Sequence, residues 1–324
     1  MRTMIKCWLV CLVLAGFLLT PAARSVEETG AIKPAEARKP LIQIAILLDN
    51  SGSMSGLIDQ ARSQLWKIVN ESALTKKNGV RPELQVALYT YGNPPPRLLC
   101  PLTTDLDKVS EELFRVTIAG GSEHCGEVIK AATDALAWSN NPADYKAIFI
   151  AGNEEFTQGP INYAEACKAA ITRGIIVNTI HCGEEAQGIN GKWQDGAALA
   201  DGKFMNIDQN QQVVHIQAPH DVEIAKLGVD LNKTYVAFGA SGEQSRARQS
   251  AQDSNAVASK QGAEVQRAVS KASVAYDNSR WDLVDACNKA AVKLEDMKEE
   301  QLPEEMRKMT PDERKVLRAV GKFH

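Results

Sequence analysis

From residue 41 the chain alternates between short apolar runs and longer stretches with apolar residues at helical spacing. LIQIAILLD (41–49) is a continuous apolar run ending in an acid, the pattern of a strand buried on both faces. Between Ser55 and Asn70, Leu57, Ile58, Ala61, Leu65, Ile68 and Val69 recur at helical spacing. ELQVALYTYG (83–92), KAIFIAG (146–152) and IIVNTIHCG (175–183) predict further strands, with one more around 212–217. KVSEELFRVT (108–117), GEVIKAATDALAWS (126–139), NYAEACKAAITRG (162–174) and a segment around 193–201 predict helices, the third ended by Gly174. The alternation predicts an α/β fold, a doubly wound parallel sheet with helices on both faces. Ligands of such sheets bind at the carboxyl ends of the strands, which points to the loops after residues 48, 92, 119, 151 and 182.

The texture changes at both ends. Arg2 and Lys6 precede an uncharged run, CWLVCLVLAGFLLT (7–20), and then Pro21-Ala22-Ala23. This layout predicts a secretory signal peptide over 1–23, because the run is shorter than the ~20 residues of a membrane span. Residues 24–40 are polar, with two Pro, and read as a linker. The α/β domain then covers 41–220. Residues 221–324 form a mainly α-helical C-terminal extension, rich in Ala, Gln, Lys and Glu beyond 243. Ala251, Ala258, Val265 and Ala272 recur at sevens, but Ala buries little area. That stripe predicts a helix lying on its own domain rather than a coiled coil, and residues 40–240 are expected to fold without it. Thr310 and Glu313 have capping-box spacing.

Composition narrows the function classes. Apolar residues are 44% and charged residues 24% of 324 positions, which excludes a disordered chain and a multi-span membrane protein. The net charge of -3 gives no global attraction to nucleic acid. No stretch after the leader is apolar enough to span a bilayer. The expected location is therefore outside the cytoplasm, periplasmic or secreted. Cleavage would leave Cys100, Cys125, Cys167, Cys182 and Cys287, some of them expected to pair in an oxidising compartment, Cys125–Cys182 being one candidate bridge.

Asp49-Asn50-Ser51-Gly52-Ser53 lies where the first strand ends and a helix begins. An acid and two hydroxyls at i, i+2 and i+4 of a turn can converge on one point, and hard oxygens there suit Mg²⁺ or Mn²⁺. The same residues also make a helix N-cap that needs no metal.

The stretch Ile42–Met54 resembles the start of a von Willebrand factor A domain with its metal-ion-dependent adhesion site. RGIIVNTIHCG looks like that family's fifth strand, and the resemblance covers about residues 40–217. It implies a third hydroxyl after a Gly-rich turn, supplied here by Ser122 of Gly120-Gly121-Ser122. The family's Asp after the fourth strand is replaced by Gly152, so Glu154, or Asn153, is left to reach the metal. The expected ligand set is Asp49, Ser51, Ser53, Ser122 and Glu154, around Mg²⁺ or Mn²⁺. By the same resemblance the site is not catalytic, and the ion keeps one position open for a carboxylate on a protein or surface partner. The whole chain also looks like a group of exported bacterial proteins carrying this domain.

Two other function classes remain open on the sequence. One is a metal-free structural or interaction protein assembling through its helical tail. The other is a hydrolase built on Glu123-His124-Cys125, which needs a distant partner such as His181, since successive residues of a helix point about 100° apart. The blander reading makes Cys125 a buried thiol and Glu123 a rim charge. No phosphate-binding loop, dinucleotide fingerprint or HExxH motif occurs.

Overall fold

The structure, a computed structural model, describes residues 38–54, parts of 56–80, 81–207, 217–259, 262–310 and 312–314. The expected signal peptide, nearly all of the linker and the strand expected at 212–217, apart from Gln217, lie outside the described residues. Lys39–His324 forms one compact unit.

Six strands build one sheet: β1 (Leu41–Leu48), β2 (Glu83–Thr90), β3 (Arg97–Thr103), β4 (Tyr145–Gly152), β5 (Ile176–Cys182) and β6 (Phe204–Ile207), in the order β3-β2-β1-β4-β5-β6. All neighbours are parallel except β3, which returns antiparallel along β2. The expected doubly wound sheet is thus present, with an antiparallel edge strand that the Pro-rich 93–96 loop did not announce. Strand order reverses at β1, so the crevice between the carboxyl ends of β1 and β4 is the switch point where such sheets bind ligands.

The sheet has a core on each face because β1 and its neighbours are apolar at both parities. Ala45, Leu47, Ile148, Ile150 and Val177 pack with α2 (Cys125–Ala135) and α3 (Tyr163–Thr172). Ile44, Leu48, Val86 and Leu88 pack on the opposite face with α1 (Leu106–Arg115) and with Ile58, Trp66 and Val69. Every described position from Gly56 to Leu74 is helical, as the spacing predicts. Asp105 caps α1 by accepting from Lys108 N (3.0 Å), and Asn162 caps α3 by accepting from Ala164 N (2.8 Å). Two short helices, α4 (Glu185–Asn190) and α5 (Trp193–Ala198), follow β5.

The C-terminal extension is helical and docked. It contains α6 (Asp221–Asn232), α7 (Gly242–Ser259), α8 (Ala263–Lys271), α9 (Leu283–Asn288) and α10 (Glu304–Arg307). α9 stops at Asn288, and Ala290 takes a positive φ of 54° just beyond it. Thr310 and Glu313 form their reciprocal cap: Thr310 N donates to Glu313 Oε2 (2.7 Å), and Glu313 N to Thr310 Oγ1 (3.3 Å). The helices do lie on their own domain, but not through the alanine stripe. Ala251, Ala258 and Ala272 face solvent, and α7 buries Gln249, Gln252 and Ala256 instead.

The docking is polar at its centre. Arg267, 1% exposed, donates to Asp107 Oδ1 of α1 (2.7 Å), bonds Asp253, and lies over the ring of Trp66 (4.5 Å). Tyr276 donates to Asp107 Oδ2 (2.5 Å), and Lys271 Nζ to Asp253 Oδ2 (2.8 Å). Burial opposes ionisation of Asp253, yet Arg267 and Lys271 hold its carboxyl below the usual value of 3.8. Tyr276 also joins the core around Trp66. Residues 40–240 therefore do not enclose their own core: one buried face, with the Asp107 carboxylate in it, is covered from beyond 240.

Candidate functional site

Asp49 follows β1 directly, and Ser51–Met54 turns the chain into the next helix. Asp49 is fully buried and accepts from Ser51 N through Oδ1 (2.7 Å). The Ser51 hydroxyl lies 3.1 Å from Asp49 Oδ2, 2.9 Å from Glu123 Oε1 and 3.1 Å from Ser53 Oγ. Ser53 donates to Asn153 Oδ1 (2.9 Å). Glu123 is buried too, 2% exposed, and its Oε2 accepts from Glu154 N (3.2 Å). A hydroxyl carries one proton, so Ser51 serves only one of its two carboxylates at a time. Among the described residues no Lys, Arg or His side chain is paired with Asp49 or Glu123. Burial and the neighbouring Glu123 push the Asp49 carboxyl up to about 8.

The sequence-predicted ligands divide accordingly. Asp49, Ser51 and Ser53 are brought together. Ser122 is exposed and makes no hydrogen bond to this cluster. The Glu154 side chain is exposed and takes the Gln158 amide (3.4 Å), so only its backbone N–H touches the site. The second acid beside Asp49 is Glu123, the residue read as a rim charge. Its position immediately after Gly120-Gly121-Ser122, just before α2, was the available signal. Among the described residues no group of three or more His, Cys, Asp and Glu side chains converges, so any ion here depends on hydroxyls and an amide as well as two carboxylates.

Gly152, where the resemblance leads one to expect an acid, has no room for a side chain. A Cβ at Gly152 would stand 2.4 Å from the Tyr91 hydroxyl, 3.1 Å from Trp193 Cη2 and 3.3 Å from Asp49 Cβ. Tyr91 is buried and donates to Ala151 O (2.8 Å), filling that space.

The groups considered for a hydrolase do not assemble. His124 Nδ1 pairs with Glu127 (2.8 Å), pointing along α2. Cys125 is buried 4.0 Å from the Tyr91 hydroxyl, and burial holds its thiol well above the usual range. His181 bonds Asn206 (2.9 Å) and Asn153 O (3.3 Å). Cys100, Cys125, Cys167 and Cys182 are buried free thiols, so the Cys125–Cys182 bridge is absent. The sequence pattern fits burial instead, since both thiols face core positions.

Comparison with known proteins agrees with this architecture. Residues 44–154 match the family model of the von Willebrand factor type A domain, and the chain contains a domain of that class. Such domains are typically interaction modules rather than enzymes. Similar solved structures include the conserved hypothetical protein BatB from Bacteroides thetaiotaomicron, at 18% identity and TM-score 0.41, covering 52% of this chain and 90% of that one. The SpRpn10 VWA domain matches at 21% identity and TM-score 0.39, over 53% and 90%. Proximal thread matrix protein 1 from the mussel byssus, with a zinc-occupied MIDAS motif, matches at 14% identity and TM-score 0.40, over 53% and 43%. No curated protein matches the sequence.

Proposed function

We propose that this chain is an exported binding module whose Asp49–Ser51–Ser53–Glu123 cluster holds Mg²⁺ or Mn²⁺ and through it recognises a carboxylate on a protein or surface partner. The observation that carries the reading is the meeting of two buried carboxylates on one serine hydroxyl at the switch point of the sheet. Two carboxylates in a buried site are costly to ionise together, and a divalent cation is the group that offsets both charges. The donor set fits a small hard ion, being oxygen throughout. Asp49 and Glu123 would supply the charge, Ser51 and Ser53 the neutral oxygens, and Asn153 would orient Ser53. When bound, the ion supplies an electrophilic attachment point for an acidic group. Export rests on the charged start and the apolar run 7–20. Among the described residues no helix is long and apolar enough to cross a membrane.

The test is calorimetric titration of Mg²⁺ and of Mn²⁺ into EDTA-stripped protein. Saturable binding that Asp49→Ala removes supports the proposal. No binding up to millimolar metal refutes it and returns Ser51 and Ser53 to helix capping.

A further inference from the structure

The amino-terminal edge of the sheet carries a second feature, remote from Asp49. A cleft of about 460 Å³ opens between the end of the segment after α2, the start of β4 and the end of α3. Its lining includes Trp138, Ser139, Lys146, Ile171, Arg173 and Gly174. At about 3.3 Å per residue, the β4 strand from Lys146 to Gly152 spans about 20 Å, so this cleft and the serine cluster are independent.

Lys146 is 7% exposed and has no carboxylate partner among the described residues. Its ammonium donates to two neutral acceptors, Ser139 O (3.0 Å) and Arg173 O (2.6 Å). An ammonium has three donors, so one remains. Arg173 stands beside it, also at the cleft. Its Nη1 is used, by Thr133 O (2.5 Å) and Asp134 Oδ1 (3.3 Å), while Nε and Nη2 make no bond among the described residues. Gly174, at φ +69°, ends α3 beside the ammonium, its Cα side within ordinary contact of Lys146 Nζ. Trp138 supplies a fixed wall, its indole N–H held by Ala132 O (2.9 Å).

Capping of the α3 carboxyl end accounts for one carbonyl bond of Lys146. It does not account for a spare donor, a second cation with idle donors and an aromatic wall, all lining one cleft. A buried ammonium satisfied only by neutral carbonyls gains strongly from an anion. We infer that this cleft is a binding site for a small organic anion, its carboxylate or phosphate group paired with Lys146 and Arg173 and its apolar body set against Trp138 and Ile171. The volume falls within the ~300–1,000 Å³ of small-molecule sites.

The experiment is titration of the full chain, in EDTA, with benzoate and separately with inorganic phosphate, followed at the Trp138 indole N–H by NMR. EDTA makes the outcome independent of the metal reading. Saturable binding is expected, weakened at least tenfold in Arg173→Gln and lost in Lys146→Met. The stronger of the two probes identifies the acid group. Arg173, with 46% of its side chain exposed, can be changed without threatening the fold, so the test stands if Lys146→Met misfolds. Absence of binding by both probes up to about 10 mM, well into the weak millimolar range, overturns the inference. So does binding that Arg173→Gln leaves unchanged.

Discussion

Asp49 and Glu123, far apart in the chain, meet on the hydroxyl of Ser51, at 3.1 and 2.9 Å. Neither carboxylate has a cationic partner among the described residues, and both are buried. The pair is a liability without a cation and an asset with one. Glu123→Gln should therefore have opposite effects in the two states. In EDTA it removes like-charge repulsion and should stabilise the protein by about 1 kcal/mol, the scale of one pKa unit. With Mg²⁺ at a hundredfold excess over Kd, the wild type should gain ~2.7 kcal/mol, or roughly 5–10 °C at ~2–4 °C per kcal/mol. Glu123→Gln should lose much of that gain, Asp49→Asn all of it, and Glu154→Gln none. Thermal unfolding with and without metal reads all four proteins. Equal behaviour of Glu123→Gln and Glu154→Gln would remove Glu123 from the site.

Gly152→Asp puts an acid where the sequence resemblance leads one to expect it and should still be harmful. The new Cβ would stand 2.4 Å from the Tyr91 hydroxyl, in a core where Trp193 and Asp49 leave no room. A loss of about 1–3 kcal/mol is expected from overpacking. The double variant with Tyr91→Phe should recover part of it, because only the clashing oxygen is removed. Urea unfolding of the single and double variants measures the recovery. A recovery of zero would mean that Tyr91 is not the obstacle.

Arg267→Met should destabilise the whole unit by about 3–5 kcal/mol, since it strands Asp107 as a buried anion and leaves Asp253 with Lys271 as its one cation. Removing residues 241–324 should abolish cooperative unfolding for the same reason, with Trp66 uncovered as well. The Asp253 carboxyl lies below its usual 3.8 in the folded protein. A depressed carboxyl contributes stability that is present above the unfolded value and lost as pH falls through the folded one. The wild type should thus lose stability below about pH 4, and Asp253→Asn should flatten that limb. Denaturant midpoints between pH 3 and 6 (on the order of the unfolded carboxyl range) provide the check.

The thiols should differ sharply in reactivity. Burial pushes Cys100 up to about 11 and Cys167 and Cys182 up to about 12, and it raises Cys125 strongly. Only the thiolate reacts, and these four side chains are shielded as well. Alkylation of native protein followed by peptide mapping should find Cys287, half-buried, modified first, and the other four modified only on unfolding. Early labelling of Cys125 or Cys182 would contradict their buried positions.

The sheet and its order of elements could be read from the sequence because the signal there is local. Runs such as 41–49 and 146–152 are apolar at every parity, and only a strand covered on both faces uses such a run. Asp49, Ser51 and Ser53 were legible for the same reason, being held on one turn by backbone geometry. The second acid was not. Glu154 follows β4, where the resemblance leads one to expect an acid, but Tyr91, just beyond the end of β2, fills the space at Gly152. The side chain of Glu154 is left outside, and the loop before α2 delivers Glu123 instead. Nor could the alanine stripe show how the extension docks. Its energy lies in Arg267 between Asp107 and Asp253, groups polar enough to read as surface until the fold buries them together. Periodicity reports which face of an element is apolar. Which charges that face meets is decided by contacts across the chain, where one arginine or one tyrosine hydroxyl outweighs a long pattern.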